Sequence, residues 1–100
     1  MEYKRKFSDK RLLRMIQAKN KLALVELYYV YFDSTYRRAY YLLKDNELSK
    51  HIVFDLFTRL LDKKTDFHSI EEVEDHITKE LREKICFKLE KHNLKLTISL

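Results

Sequence analysis

The chain runs for 100 residues without a single glycine or proline. Phosphate-cradling loops, tight turns with positive φ and the sharp elbow that presents a hydrolase nucleophile are built on glycine, so no Rossmann, P-loop or hydrolase signature exists here. A hairpin-rich β fold would want Asn-Gly, Asp-Gly or proline-containing turns, and the sequence has none of them. Helices joined by short polar links remain. The length is that of one domain able to bury roughly 60–65% of its unfolded surface. A composition of 45% hydrophobic and 37% charged residues suits a globular domain with a solvated exterior.

Hydrophobic periodicity marks out the helices. Ser8 or Asp9 caps a first helix with Leu12, Leu13, Ile16 and Ala18 at helical spacing, and Asn20 breaks it. From Lys21 to Leu43 a second stretch sets Leu24, Leu27, Tyr28, Tyr31, Phe32, Thr35, Ala39, Leu42 and Leu43 on one broad stripe, with Asp33-Ser34 as the place for a kink or split. Lys44-Asp45-Asn46 reads as a link, with Asn46 as cap of a third helix carrying Leu48, Ile52, Val53, Leu56, Phe57, Leu60 and Leu61 and ending near Asp62-Lys63-Lys64. Thr65 to His68 is a loop, and Ser69 with Glu72 three residues on is a capping-box signature. A fourth helix follows, with Ile70, Val73, Ile77, Leu81, Ile85 and Leu89 in one line. Beyond His92-Asn93, Leu94, Leu96, Ile98 and Leu100 alternate with Lys95, Thr97 and Ser99, the pattern of a short strand able to pair between chains, or of a frayed tail. The expectation is a compact all-α bundle of four helices, five if the second is split, over residues 1–93, followed by a C-terminal tail at 94–100. The third and fourth helices should form an antiparallel pair across the Lys63–His68 loop.

Side-chain chemistry narrows the function by exclusion. Cys86 is the only cysteine, so no internal disulfide forms and the count fits a reducing cytoplasm; beside Ile85 it reads as a small buried hydrophobe. The N-terminus lacks an apolar signal core, and no apolar run approaches the ~20 residues of a membrane span, so a cytoplasmic, soluble protein is expected. No pair among His51, His68, His76 and His92 has the i, i+4 spacing of a helical zinc site, and neither metal nor cofactor is expected. Glu71, Glu72, Glu74 and Asp75 lie in the first turns of a helix, where negative charge favours the dipole. With no nucleophile beside a base, the chain does not read as an enzyme.

The net charge of +5 is unevenly spread. Residues 1–20 hold seven basic and two acidic side chains, residues 51–75 three and seven, and residues 76–100 six and three. Basic ends around an acidic middle suggest one face for a polyanion and another for a basic protein surface. Six tyrosines between residues 28 and 41 supply either core or stacking surface; Tyr29 and Tyr41 lie off the main stripe.

Order and spacing of three segments carry a resemblance. The first is Leu12-Leu13-Arg14-Met15-Ile16-Gln17-Ala18-Lys19-Asn20, followed by Glu26-Leu27-Tyr28, Tyr31-Phe32 and the run Tyr36 to Asp45. The second is His51-Ile52-Val53-Phe54-Asp55-Leu56-Phe57-Thr58-Arg59-Leu60-Leu61, and the third Leu81-Arg82-Glu83-Lys84-Ile85-Cys86-Phe87-Lys88-Leu89-Glu90-Lys91. Over about residues 9–92 the chain resembles region 2 of bacterial sigma factors of the extracytoplasmic-function type. The resemblance implies a transcription-initiation module whose third helix docks on the β′ clamp of RNA polymerase core through His51, Phe54, Asp55, Thr58, Arg59 and Asp62. It implies contact with minus-ten promoter DNA through Lys63, Lys64, Lys79, Arg82, Lys84, Lys88 and Lys91, with Phe67 placed to stack on a flipped base, and leaves room for an anti-sigma factor as a further partner; from the residues alone, Phe67 fits equally well as a staple on the following helix. Asp55, Phe57, Leu60 and Arg82 fit the family's motifs. His51, Phe54 and Leu61 replace an acid, an amide and a tryptophan, and Glu83, Phe87 and Glu90 also depart. Those departures define the alternative: a degenerate sigma-like interaction domain that keeps a protein-binding face and does not read promoters.

Overall fold

The computed structural model describes the backbone of residues 5–99 and the side chains of residues 5–90. Over the described residues the chain is an all-α bundle of five helical elements: α1 (Asp9–Gln17), α2 (Lys21–Leu43), α3 (Asn46–Thr58), the single turn α4 (Leu60–Lys63) and α5 (Ile70–Ser99). Each long helix begins on a side chain that satisfies an otherwise orphaned N–H. Ser8 Oγ accepts from Arg11 N, Asn20 Oδ1 from Leu22 N at 2.9 Å, Asp45 Oδ1 from Leu48 N at 3.0 Å and Ser69 Oγ from Glu72 N at 3.2 Å. The cap of α3 is thus Asp45 and not Asn46, whose side chain is engaged by the Tyr36 hydroxyl of α2. The capping box of α5 is also shifted, since the Glu72 carboxylate accepts from His68 N at 2.8 Å, one residue ahead of the cap.

Helix α2 runs unbroken through Asp33-Ser34, where the sequence suggested a kink. Both polar side chains are absorbed locally: Asp33 pairs with Arg37 one turn on at 3.1 Å, and Ser34 Oγ donates to the Tyr31 carbonyl. The break falls instead at Arg59, whose φ of −108° and ψ of 4° separate α3 from α4. It lets the neighbouring Leu60 and Leu61 both enter the core, where a continuous helix would set them about 100° apart. Glycine proves dispensable for the left-handed turns: Lys19 and Lys44, each at φ 55°, close the ends of α1 and α2. Helix α5 continues through Ser99, so the period-two alternation at 94–99 is helical, not a strand able to pair between chains. A helix satisfies its own backbone hydrogen bonds, which a lone strand in a helical domain cannot. The side chains of that stretch and residue 100 lie outside the described residues.

One core holds the bundle. Ile70, Val73, Ile77, Leu81 and Ile85 of α5 are buried with Leu27 and Ala39 of α2, Ile52, Val53, Leu56 and Phe57 of α3, and Leu12 and Ile16 of α1. Contacts fix the directions. Tyr31 Oη donates to Glu74 and Arg38 to Thr78, so α2 and α5 run parallel. Tyr28 packs edge-on to Phe57 while Tyr36 meets Asn46, so α3 runs antiparallel to α2. Asp55 meets Lys84, and Phe67, on the way back, packs against His76, which makes α3 and α5 antiparallel across the loop, as the sequence implies.

The tyrosine-rich stretch resolves into a ladder at i, i+4 spacing. Tyr28 and Phe32 lie 5.0 Å apart, Phe32 stacks on Tyr36 at 5.9 Å, and Tyr36 stacks on Tyr40 at 6.1 Å. These rings run along one side of α2, and Tyr28 also carries Phe54 and Phe57 of α3 edge-on. Tyr29 and Tyr41 stand outside the ladder and are exposed. Three positions expected on apolar faces are exposed: Ala18, which is the C-cap of α1, and Leu42 and Leu89. Cys86 is exposed too, not a buried hydrophobe, because it sits about 100° around α5 from the buried Ile85.

Truncating Phe57, 2% exposed and packed edge-on to Tyr28 in the core, should cost about 3–5 kcal/mol. Ser49→Ala should behave oppositely. The Ser49 hydroxyl is fully buried and has no hydrogen-bond partner among the described residues, so its removal is neutral or stabilises by up to about 1 kcal/mol. Urea denaturation followed by circular dichroism measures both; a large loss for Ser49→Ala would mean that the hydroxyl is satisfied.

Candidate functional site

The solvent face of α3 is built by helical register. Ile52, Leu56 and Leu60 turn into the core, which leaves His51, Phe54, Thr58 and Arg59 outward, with Asp62 exposed on α4. Phe54 is 56% exposed, an aromatic ring held on the surface by its edge contact with Tyr28. Beside it Asp55 gathers two cations: Lys84 Nζ at 2.8 Å from α5 and Arg59 Nε at 3.1 Å one turn along α3. Thr58 Oγ1 donates back to the Asp55 carbonyl at 3.0 Å. The Lys84 hydrogen bond holds the Asp55 carboxyl below the usual aspartate range, with Lys84, Arg59 and His51 adding Coulombic attraction against a desolvation penalty. All six residues expected on the polymerase-docking face therefore sit on α3, on α4 or at the break between them, with Asp55 as a structural tie as well.

The residues expected on DNA are divided. Phe67 is 0% exposed: it packs against the His76 ring at 5.3 Å, with Lys64 Nζ 5.4 Å from its centroid and its carbonyl held by Gln17 Nε2 at 3.2 Å. A ring anchored in the core cannot take up a flipped base, and its part is to seat the loop before α5. Lys84 is engaged by Asp55. Arg82, two residues earlier and roughly 200° around the helix, borders the groove between α5 and α2, on the opposite flank from α3. Lys63, Lys64, Lys79 and Lys88 are exposed, and the Lys91 side chain lies outside the described residues. The cations form no single stripe.

Sequence reasoning passed over two groups. Glu26, 1% exposed in α2, accepts from Lys6 N at 2.7 Å and Phe7 N at 3.1 Å, and so ties the N-terminal segment to the bundle. Glu26 lies on the side of α2 opposite the apolar stripe that runs from Leu24 to Leu43, so hydrophobic periodicity gives no sign of it. His76 is half-buried against Phe67; burial pushes its imidazole below the ordinary histidine value, opposed by Glu80 and reinforced by Lys64 and Lys79. Glu80 lies 4.0 Å from its Nε2, a contact that becomes an ion pair only when the imidazole is protonated. Among the described residues no three histidine, cysteine or carboxylate side chains cluster as metal ligands, and no helix is long and apolar enough to cross a membrane. No family model, curated protein or solved structure matches the chain.

Both titrations act on the acid side. As pH falls below about 6.5 the unfolded chain protonates His76 more readily than the folded one, so stability drops. Asp55 adds a further loss as pH falls through its lowered carboxyl range. His76→Gln should flatten the stability slope between pH 7 and about 5.5 in chemical denaturation. A double-mutant cycle on Asp55 and Lys84, both partly exposed, should give a coupling of at most about 1 kcal/mol.

Proposed function

We propose that this chain is a sigma-factor region 2-like docking module that binds RNA polymerase core at the β′ clamp through the solvent face of α3 and has lost selective reading of the minus-ten element. The observation that carries the reading is Phe54, an exposed aromatic ring where the resembled family has an amide, beside an Asp55 already tied within the domain. A desolvated aromatic anchor with a polar rim is the usual make-up of a binding hot spot. His51 and Thr58, one turn to either side, supply that rim. The burial of Phe67 and the wide separation of Arg82 and Lys84 around α5 support a loss of promoter reading. Contact with DNA is then electrostatic and spread over Lys63, Lys64, Lys79, Arg82 and Lys88. The module carries no catalytic role and works in the cytoplasm, where polymerase is.

Phe54→Ser should leave folding within about 0.5 kcal/mol, because the ring is largely exposed, and should weaken capture of polymerase core by about tenfold or more. Asp55→Arg is the poorer probe, since it also breaks the tie to Lys84. Wild type failing to bind core polymerase would overturn the proposal. In fluorescence anisotropy, single-stranded DNA of any sequence should bind weakly and release steeply with salt; sequence-selective binding would restore the promoter-reading function.

A further inference from the structure

The parallel packing of α2 and α5 leaves a groove of about 560 Å³ between the C-terminal half of α2 and the middle of α5, on the flank of α5 away from α3. Its floor is Leu81 and Ile85, and its walls are Leu42, 55% exposed on α2, and Leu89 on α5. Arg37 and Arg38 border it on the α2 side and Arg82 on the α5 side, and among the described residues no carboxylate lines it. Arg37 and Arg38 have local partners in Asp33 and Thr78, whereas Arg82 has no ion pair among the described residues. From Thr78 to Leu89 the groove follows eleven residue steps of α5, about 16 Å, or roughly three helical turns.

We propose that this groove docks an acidic amphipathic helix of a partner protein, its apolar side on Leu42, Leu81, Ile85 and Leu89 and its carboxylates toward the flanking arginines. Three observations select that occupant. The length matches a short helix, and a helix laid in an apolar groove is a recurring recognition mode. The cations stand on both rims; a fatty acid would need its one carboxylate met at one end, whereas a helix with acids on both flanks meets both. A second copy of this chain is disfavoured, because a two-fold contact through this surface would set the arginines of one copy against those of the other.

Cys86, the single cysteine, lines the groove and is exposed, so the native protein carries its own reporter. The test measures alkylation of Cys86 by a maleimide with increasing amounts of a cysteine-free 14-residue peptide bearing leucines at i, i+3, i+4 and i+7 and glutamates on both flanks. The expected result is saturable protection of at least about tenfold, reduced about tenfold or more by Arg82→Glu and by Leu42→Glu; both positions are exposed, and circular dichroism checks their folding. The same peptide with lysines for glutamates should protect weakly. Equal protection by the lysine peptide, protection by a C16 fatty acid or single-stranded DNA but not by the acidic peptide, or an alkylation rate unchanged at millimolar peptide would each overturn the proposal. A polymerase-binding defect in Phe54→Ser with an intact groove response separates this surface from the α3 face.

Discussion

Everything in this domain hangs on the burial of one side of α5. Ile70, Val73, Ile77, Leu81 and Ile85 recur at steps of three and four, and a helix that long with a single apolar line must be covered along it. Helices α2 and α3 supply the cover from opposite flanks, one parallel and one antiparallel, and the polar clips Tyr31–Glu74, Arg38–Thr78 and Asp55–Lys84 lie at the edges of that seam. Burial raises the Tyr31 hydroxyl above the ordinary tyrosine range and Glu74 accepts its hydrogen bond, so it remains a donor at any physiological pH. The clips set register; the apolar line supplies the stability.

The elements were largely legible because each long helix has its own periodicity and its own cap residue. What was misjudged lay where one local signal competed with a tertiary one. Asn46 looks as good a cap as Asp45, and only the Tyr36 hydroxyl, ten residues away, settles which one turns inward to the helix N-terminus. Asp33-Ser34 has the composition of a break, yet α2 runs unbroken through it, with the aromatic ladder over residues 28–40 along the same helix. In the tail, alternation over a few residues was weaker than the tendency of an established helix to go on adding one hydrogen bond per residue.

The candidate site was legible in part. Placement of His51, Phe54, Asp55, Thr58 and Arg59 outside the core follows from α3 periodicity alone, and these five share the α3 side. The basic set did not survive as a unit, because the angular position of each cation depends on which flank of α5 faces α2 and which faces α3, and one helix's pattern does not contain that. Phe67 shows the same limit: a phenylalanine in a polar loop reads as equally fit to stack or to anchor, and only the closeness of His76 and Lys64 decides it.

The two left-handed lysines carry a consequence for the electrostatic surface. In most chains the residue that reverses direction at a helix end is glycine and adds nothing to the potential. Here that corner is cationic. Lys44 lies 4.7 Å over the ring of Tyr41, which itself lines the groove, so the geometry that ends α2 also sets a positive charge at the groove's end, against the negative pole of the helix. A chain without glycine has therefore turned its punctuation into part of its charge pattern, and a substitution chosen to relax the backbone at Lys44 would also redraw the field that an approaching partner meets.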